Sequence, residues 1–255
     1  MEFFILANCL KIKYVEGPGV KVIAERLSFL EGRKILDAFG NTKKVDLKLL
    51  PGSKIEKVFS HGKNLLFKIE GRGFIRVHFL MYGSFSMNKI TKSEKQIRFG
   101  FKTEDSSIFF YNCSVNFTNR ISFKGQDIID PHYEIEKTVN IVKDRKDTIG
   151  DLLLDQDVFP GVGNIIRIEG LFRARVHPAS RVKKIPIDKI YEVINKTREF
   201  ALIFYEFRKK GYKLKDNLVC YGKKQCIYCG GPILRRKLGE RKRVAYYCEN
   251  CQKLY

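Results

Sequence analysis

Four cysteines near the C-terminus limit the folds open to this chain more strongly than any other part of its sequence. Cys226 and Cys229 form one C-x2-C pair, and Cys248 and Cys251 form a second pair after eighteen intervening residues. This spacing is typical of structural zinc sites. Four thiolates complete a tetrahedral shell and leave no open position for catalysis, so we expect one structural zinc ion. Cys220 lies upstream of the complete set and is not expected to be a ligand.

A basic segment centred on Gly239 separates the two cysteine pairs. Apolar residues on both sides, at Ile233-Leu234 and Val244–Tyr247, predict a β-hairpin with a basic tip. The basic residues are Arg235, Arg236, Lys237, Arg241, Lys242 and Arg243. Such a tip suits a phosphate backbone or a minor groove, where negative potential is concentrated. A merely solvated basic face is the alternative.

The net charge of the 255-residue chain is +21, from 49 Lys and Arg against 28 Asp and Glu. A surplus of this size repels itself and is tolerated when the partner is a polyanion, so nucleic acid is the expected partner. An anionic membrane surface is the alternative, but it calls for a basic amphipathic helix that the sequence lacks. With 44% hydrophobic residues and no membrane-length apolar run, we expect a globular monomer without a membrane partner.

The first fourteen residues invite interpretation as a signal peptide, which their pattern does not support. No basic residue precedes the apolar run Phe3–Leu6, and no small-residue cleavage site follows it. The seven cysteines are an odd number, with four of them in metal spacing, which argues against a disulfide framework. We therefore expect an intracellular protein and leave its compartment open.

The rest of the chain divides by the residue types it uses. Up to about residue 132, short runs of β-branched and aromatic residues alternate with glycines and charges, which predicts a sandwich or a barrel. The predicted strand runs are Lys63–Glu70, Phe74–Met81, Ile97–Lys102 and Ser107–Val115. Helical spacing of apolar residues predicts helices at Val20–Gly32, Thr148–Phe159, Ile165–Phe172 and Ile187–Lys210. The expected fold class is α+β, with a β unit, a helical unit and a small metal-binding hairpin.

Two glycines and an asparagine lie between two of the predicted helices. Gly161 and Gly163 bracket Val162, and Asn164 opens the next helix. A tight turn of this kind can present backbone N–H groups and an amide side chain to a phosphate. An ordinary helix stop is the alternative for the glycines alone.

These motifs together resemble the formamidopyrimidine-DNA glycosylase and endonuclease VIII (Fpg/Nei) family. The segment L-D-Q-x4-G-V-G-N-I at residues 154–165, followed by E-x-L-F-R-A-x-x-H-P at residues 169–178, is similar to the family's helix-two-turn-helix. V-E-G-P-G at Val15–Gly19 is similar to the start of its mature members, with valine where most have proline. The resemblance implies four parts, which are an extension at residues 1–14, a catalytic β-sandwich at 15–135, a helix-two-turn-helix domain at 136–219 and a zinc finger at 220–255.

The resemblance implies a bifunctional enzyme of base-excision repair, a DNA glycosylase with AP lyase activity. The α-amine of Val15 would attack C1′ of the damaged nucleotide, displace the base and form a Schiff base, after which elimination cuts the strand. An α-amine suits this step because its pKa of about 8 leaves roughly a tenth of it neutral at pH 7. Glu16 would protonate the leaving sugar oxygen, and Lys63 would grip a phosphate beside the lesion.

The DNA contacts that the resemblance implies come from three further residues. Asn164 and Arg243 match phosphate contacts that hold the backbone kinked while the damaged base is flipped out. Met81 matches one of three side chains that fill the gap left by that base. The other two, an Arg–Phe pair, are replaced by Y-N-C-S-V-N at residues 111–116. We therefore expect damaged DNA as the partner, with a preference for single-stranded or bubble DNA.

The lesion range follows from a short segment before the zinc finger. Between Lys210 and Tyr221 there is little room for the loop that caps 8-oxoguanine in the purine-preferring branch of the family. Oxidised pyrimidines and hydantoins are therefore the expected substrates.

Residues 1–14 bear on this chemistry because a peptide nitrogen cannot form a Schiff base. Tyr14 precedes Val15, so a free amine requires removal of residues 1–14 or a different start of the chain. A lysine such as Lys63 in place of the amine is a further alternative. A catalytically silent relative that binds damaged or single-stranded DNA is therefore the alternative function. A zinc-ribbon protein that binds RNA or the ribosome would explain the charge and the cysteines, but not the match from Gly161 to His177.

Overall fold

A computed structural model describes residues 15–255, which divide into two compact units. The first unit comprises Val15 and Gly19–Ser122, and the second comprises Glu16–Pro18 and Phe123–Tyr255. The extension expected at residues 1–14 lies outside the described residues.

The first unit contains two four-stranded sheets whose neighbouring strands are all antiparallel. One sheet has the strand order β1-β6-β7-β5, and the other has the order β2-β3-β4-β8. The strands are β1 (Asp37–Phe39), β2 (Ile55–His61), β3 (Asn64–Ile69), β4 (Gly73–His78), β5 (Ser84–Met87), β6 (Ile97–Lys102), β7 (Ser107–Tyr111) and β8 (Ser114–Thr118). The expected β-sandwich is thereby confirmed.

Aromatic side chains fill the core between the two sheets. Phe67 of β3 packs edge-on against Phe101 of β6 and Phe110 of β7, with ring centroids 5.6 and 5.9 Å apart. All three are buried, as the alternation of inward-facing residues along a strand requires. Helix α1 (Gly17–Leu27) adds apolar residues to the same core.

Three of the predicted elements in this unit have different bounds. The strand run predicted at Phe74–Met81 ends at His78, because the chain turns at Leu80, whose φ is +54°. Helix α1 begins earlier than the predicted Val20 and ends at Leu27, where the Ser28 hydroxyl donates to the carbonyl of Glu25 and closes the last turn. The run predicted at Ser107–Val115 is two strands, because the chain crosses from one sheet to the other at Asn112, whose φ is +51°.

The second unit is helical and carries the cysteine hairpin. Its helices are α2 (Ile135–Val142), α3 (Ile149–Leu152), α4 (Asn164–Arg173) and α5 (Ile187–Lys209), around one apolar core. The expectations for α4 and α5 are confirmed, but the helix predicted at Thr148–Phe159 is wrong beyond its first turn. There the Asp155 carboxylate accepts the N–H of Asp157 at 3.0 Å, and such a local side-chain bond competes with the helix.

The predicted hairpin is confirmed as β9 (Leu234–Leu238) and β10 (Arg243–Tyr247), paired antiparallel with Arg243 opposite Leu238. A small core joins this region to α4, built from Ile168, Phe172, Cys220, Cys226, Ile233 and Cys248. Among residues 15–255, no helix has the length and apolar character that a membrane crossing demands.

Candidate functional site

The carboxylate of Glu16 lies against the first turn of α4. Its Oε1 accepts the N–H of Ile165 at 2.8 Å, and its Oε2 accepts the N–H groups of Gly163 at 3.1 Å and Ile166 at 3.2 Å. N–H groups at this end have no carbonyl partner within the helix, and the helix dipole adds positive potential there. Glu16 is only 6% exposed, so the turn holds one carboxylate in one orientation.

The turn before α4 is shaped to receive this carboxylate. A Cβ atom at Gly163 would lie 2.3 Å from Cδ of Glu16, so a larger residue there displaces the side chain. Gly161 has a φ of +94°, and its carbonyl accepts the N–H of Gly17 at 2.9 Å. Gln156 braces the turn, since its Oε1 accepts the N–H of Gly161 at 3.2 Å. The residues after Glu16 and the residues before α4 therefore fix each other.

Asn164 is the first residue of α4 and is half-buried. Its Oδ1 accepts a hydrogen bond from Nη2 of Arg167 at 2.7 Å. Arg167 is 1% exposed, and the same nitrogen donates to the carbonyl of Val244 at 2.9 Å, while Nη1 donates to the carbonyl of Gly150 at 3.3 Å. One buried guanidinium thus joins α4 to strand β10.

The basic hairpin presents its six positive side chains to solvent, and each of them is exposed. Its tip is anchored at Asp151, whose Oδ2 accepts the N–H of Glu240 at 2.7 Å. A Cβ atom at Gly239 would lie 2.1 Å from the same oxygen, so the close approach requires glycine. Arg243 opens β10 beside this anchored tip.

The four cysteines of the two C-x2-C pairs come together at the base of the hairpin. Their Sγ atoms all lie within 4.8 Å of one another, with 3.7 Å between Cys226 and Cys251 and 3.5 Å between Cys229 and Cys248. A tetrahedral zinc ion with Zn–S bonds of about 2.3 Å needs sulfur atoms roughly 3.8 Å apart, so the cluster fits zinc. Cys220 stands outside the cluster, with its thiol donating to the carbonyl of Tyr246 at 3.2 Å.

Lys63 lies in the two-residue turn Gly62-Lys63 between β2 and β3, one residue before the strand in which the sequence analysis placed it. Gly62 has a φ of +55°, as a tight hairpin turn requires. Asn64 pairs with His78 at the end of β4. Burial lowers the pKa of His78, and the positive charges of Lys63 and Arg76 lower it further. The Lys63 ammonium therefore acts at the end of β4.

An apolar tip projects from the loop that follows β4. Its three side chains are exposed by 55% at Leu80, 68% at Met81 and 76% at Tyr82. The loop is tight, since the N–H of Gly83 donates to the carbonyl of Phe79 at 2.7 Å. Leu80 has a φ of +54°, a costly conformation for leucine, and its N–H donates to Nδ1 of His78 at 3.1 Å. The tip is therefore a fixed apolar projection.

The segment that stands where the resemblance places an Arg–Phe pair is short. Two residues, Asn112 and Cys113, connect β7 to β8, and both Tyr111 and Cys113 are buried. Ser114 pairs with His78, so this connection lies at the same end of its sheet as the apolar tip. It projects no large side chain beside Met81.

The candidate residues thus fall into two groups, each within one unit. In the first unit, Lys63 and Met81 lie at one end of the β2-β3-β4-β8 sheet, and Val15 packs half-buried against the unit's core. In the second, Glu16 and Asn164 share the start of α4. The second unit also contains Arg243 and the four cysteines Cys226, Cys229, Cys248 and Cys251.

Four residues of these surroundings were not predicted from the sequence as parts of the site, namely Leu80, Tyr82, Asp151 and Arg167. The run Leu80-Met81-Tyr82 before Gly83 was a signal that could have been used, because large apolar residues beside a turn glycine are unusual in a solvated loop. Asp151 and Arg167 gave no such signal, since their partners are backbone groups far along the chain.

Two family models match the chain. The formamidopyrimidine-DNA glycosylase N-terminal domain matches residues 15–119, and the formamidopyrimidine-DNA glycosylase H2TH domain matches residues 125–204. Endonuclease 8-like 3 of Homo sapiens is 31% identical over 81% of this chain, and formamidopyrimidine-DNA glycosylase of Solibacter usitatus is 28% identical over 93% of it and 99% of its own length. The chain spans 36% of the length of the endonuclease 8-like 3 relatives.

Solved structures share the fold over nearly the whole chain. A complex of Lactococcus lactis Fpg with DNA containing an abasic site superposes with a TM-score of 0.82, at 20% identity, over 93% of this chain and 99% of that one. A viral DNA glycosylase superposes with a TM-score of 0.80, at 22% identity, over 94% of this chain and 100% of that one.

Proposed function

The chain belongs to the formamidopyrimidine-DNA glycosylase and endonuclease VIII family, and on that premise we propose that it excises oxidised bases from DNA and cleaves the abasic site that remains. Its relatives are Fpg and Nei-like DNA glycosylases. The observation that carries the proposal is the Glu16 carboxylate, held by three N–H groups in the position directly after the proposed nucleophile.

The proposed nucleophile is the α-amine of Val15 in a chain that begins there. The neutral amine forms a bond to C1′ of the damaged nucleotide, and the bond from C1′ to the base breaks, so that the base leaves with the electron pair and takes up a proton from water. The C1′–O4′ bond then opens, O4′ takes up a proton, and an iminium remains between Val15 and the sugar. Glu16 accepts the proton that the amine loses and delivers it to O4′. Loss of a sugar proton and departure of the 3′ phosphate complete the strand cleavage.

Phosphate contacts are assigned to Lys63, Asn164 and Arg243. Each offers only donors to a phosphate oxygen once the Asn164 oxygen is engaged by Arg167. A zinc ion held by the four cysteines would supply no chemistry in this reaction. It would hold the base of the hairpin, and with it the position of Arg243, which is why removal of the metal should weaken DNA binding.

The proposed preference for single-stranded or bubble DNA rests on the apolar tip and the short β7–β8 connection. In duplex DNA a flipped base leaves a gap and an unpaired partner base on the opposite strand. Met81 fills the gap and the neighbouring Tyr82 offers an aromatic face for stacking, but the Asn112-Cys113 connection has nothing to hold the opposite strand. Unpaired DNA has no opposite strand to hold.

The proposed lesion range rests on the segment after α5. Residues 211–220 contain the turn at Gly211, a short 3-10 helix at Leu214–Asn217, and N–H groups of Val219 and Cys220 that donate to the buried carboxylate of Glu169. A segment anchored in this way leaves no loop to close over a purine. Oxidised pyrimidines and hydantoins are the substrates it accommodates.

Borohydride trapping on a single-stranded oligonucleotide with one abasic site tests the mechanism. The chain beginning at Val15 and the 255-residue chain beginning at Met1 are compared, each with Lys63 and with Lys63→Met, and the crosslinked residue is mapped by mass. We expect a crosslink at the Val15 amine in the chain that begins there, with or without Lys63. Excision from paired and unpaired oligonucleotides carrying an oxidised pyrimidine then measures the strand preference.

Two outcomes would contradict this proposal. A crosslink that depends on Lys63 would assign the lyase chemistry to a lysine. No crosslink from the chain beginning at Val15, in a preparation that retains zinc and binds the oligonucleotide, would leave a silent DNA-binding relative. Equal turnover on paired and unpaired substrate would remove the strand preference alone.

A further inference from the structure

Arg167 is buried in the second unit without an ionic partner at bonding distance. Among residues 15–255, the polar groups that accept its hydrogen bonds are the carbonyls of Gly150 and Val244 and the side-chain oxygen of Asn164. Its Nε has no hydrogen-bond partner in that part of the chain. Burying a guanidinium without a carboxylate at bonding distance is costly, so the three hydrogen bonds of Arg167 are the contacts that account for its place here.

The contact with Asn164 fixes which way that side chain presents its amide. A guanidinium carries only donors, so the atom facing Arg167 is the Asn164 oxygen. The amide nitrogen and its two N–H groups then lie on the other side of the carboxamide. Arg167 thereby makes the outward face of Asn164 a donor, which is the polarity that a phosphate oxygen requires.

The contact with Val244 fixes the strand that carries Arg243. Val244 directly follows Arg243 in β10, and its carbonyl accepts from the same Nη2 atom that binds Asn164. Asp151 holds the tip of the hairpin through the N–H of Glu240. The hairpin is therefore tied to the α3–α4 region at two points, with Arg243 between them.

The charges around Arg167 match this arrangement. Burial lowers its pKa to about 10, which leaves the guanidinium charged at neutral pH. The negative charges of Asp151 and Glu16 raise the pKa of Arg167, and the positive charge of Arg243 lowers it. The positive charge of Arg243 therefore acts against that of Arg167, and an anion that binds to Arg243 offsets this repulsion.

We propose that Arg167 is a positioning residue that couples Asn164 and Arg243 into one phosphate-binding unit of the DNA site. It touches no DNA itself. Through its Nη2 atom, Arg167 turns the N–H groups of Asn164 outward and holds the strand that carries Arg243. The proposal rests on the proposed DNA-binding function, but it does not depend on catalysis.

The test is a mutant cycle on DNA binding, read by fluorescence anisotropy with an oligonucleotide that carries a tetrahydrofuran abasic analogue. Asn164→Ala and Arg243→Ala are combined in the Arg167 protein and in an Arg167→Lys protein, which keeps the charge and loses the planar fork. We expect Arg167→Lys to weaken binding about tenfold. In that background Asn164→Ala should cost less than about twofold, although it costs about tenfold beside Arg167.

Arg173→Lys is the matched control. Arg173 is another arginine of α4, and it contacts Glu169 and the carbonyl of Asn217 rather than Asn164 or β10. In the Arg173→Lys protein, Asn164→Ala should weaken DNA binding by the same factor as in the unaltered protein. Zinc content and the thermal unfolding midpoint confirm that each variant is folded.

A second variant keeps the proposal testable if Arg167→Lys does not fold. Asn164→Asp retains an oxygen for Arg167 but removes the outward N–H donors, so it should bind the oligonucleotide at least tenfold more weakly while its thermal midpoint is maintained. Binding by Asn164→Asp equal to that of the unaltered protein would overturn the assigned polarity. An undiminished effect of Asn164→Ala in the folded Arg167→Lys protein would overturn the coupling. If the unaltered chain binds no DNA, it is the proposed function that fails.

Discussion

Glu16 and Met81 are single side chains with proposed roles at DNA, yet they are built into the fold in opposite ways. Both oxygens of Glu16 are bound by backbone N–H groups, and the glycine beside it leaves no spare room. Met81 stands in an exposed apolar tip whose backbone is fixed but whose side chains are not packed. This difference fits the two proposed roles. Proton transfer by Glu16 requires one fixed position of its carboxylate, whereas a gap in DNA is filled by an apolar side chain that can change its conformation, as Met81 can.

Replacing Glu16 by Gln should give the largest effect. The amide cannot transfer a proton, and its NH2 group would face N–H donors that now bind a carboxylate oxygen. We expect base excision and strand cleavage to fall by about 10³-fold, within the range for loss of a general acid–base group. Single-turnover cleavage of an oxidised-pyrimidine oligonucleotide measures it.

Glu136→Gln is the control, because Glu136 is an exposed carboxylate in the first turn of α2. Its activity should equal that of the unaltered chain. Cleavage by Glu16→Gln within tenfold of that chain would remove Glu16 from the chemistry.

Gly163→Ala tests whether the position of the carboxylate matters as much as its presence. The added methyl group would meet Cδ of Glu16 at 2.3 Å and push it away from the start of α4. Because a displacement of about 1 Å can cost 10²-fold in rate, we expect a loss of about 10²-fold in cleavage. Binding to a tetrahydrofuran oligonucleotide should change less.

The control variant is Gly52→Ala, at a turn glycine of the first unit with no atom near its Cβ position. It reports the cost of a methyl group away from Glu16, and its φ of +84° makes the backbone part of that cost larger than at Gly163, whose φ is −113°. Equal losses of cleavage in the two variants would mean that the room beside Glu16 has no special part in the reaction.

Tyr82→Ser tests the role of the apolar tip in binding unpaired DNA. Tyr82 is 76% exposed, so its removal should leave the fold intact. Stacking of a base on an aromatic ring is worth about 1–3 kcal/mol, and we expect binding to single-stranded DNA to weaken about tenfold. Anisotropy with a single-stranded oligonucleotide measures the change, and Tyr212→Ser, at an exposed tyrosine beyond α5, is the control. Equal binding by the two variants would assign the tip no role in stacking.

The smallest effect concerns the support of the tip by His78. Its Nδ1 accepts the N–H of Leu80, and its pKa is lowered mainly by burial. The unfolded chain therefore takes up a proton at a higher pH than the folded chain does. The contribution of His78 to the free energy of unfolding is complete above about pH 6.5 and declines as the pH falls below that value.

His78→Asn keeps an acceptor near the Leu80 N–H and removes the titration. Urea unfolding at pH 7.5 and 5.5 should show a smaller loss of unfolding free energy in this variant than in the unaltered chain. His177, whose pKa is also lowered by burial, adds a loss of unfolding free energy at the lower pH to both proteins. An identical loss in the two proteins would show that His78 does not titrate in this range.

Local patterns predicted the parts of the fold that local interactions build. The cysteine spacing and the apolar residues on both sides of Gly239 predicted the hairpin, and the spacing of apolar residues predicted α4 and α5. The helix predicted across Thr148–Phe159 was wrong beyond Leu152, because Asp155 and Gln156 bind nearby backbone groups there. Helix propensity alone does not show this competition.

The candidate site was predicted only as a set of residues that match a family. Which residues would meet could not be read from their order, since Glu16 binds N–H groups about 150 positions later and Arg167 binds a carbonyl 77 positions away. Almost every residue offers a backbone N–H and a carbonyl, so the residue types do not show which of these groups a side chain binds. The roles of the matched residues stay predictions until the experiments above are done.

The small core shared by α4 and the cysteine hairpin sets an order of assembly. Ile168 and Phe172 supply its apolar residues from the helix, and Glu169 gathers the N–H groups of Cys220 and Tyr221. The segment that bears the thiolates therefore lacks a core of its own before α4 has formed. Because α4 precedes the cysteine hairpin in the chain, it leaves the ribosome first, and a metal ion held by the four cysteines would be bound only after α4 and the hairpin have come together.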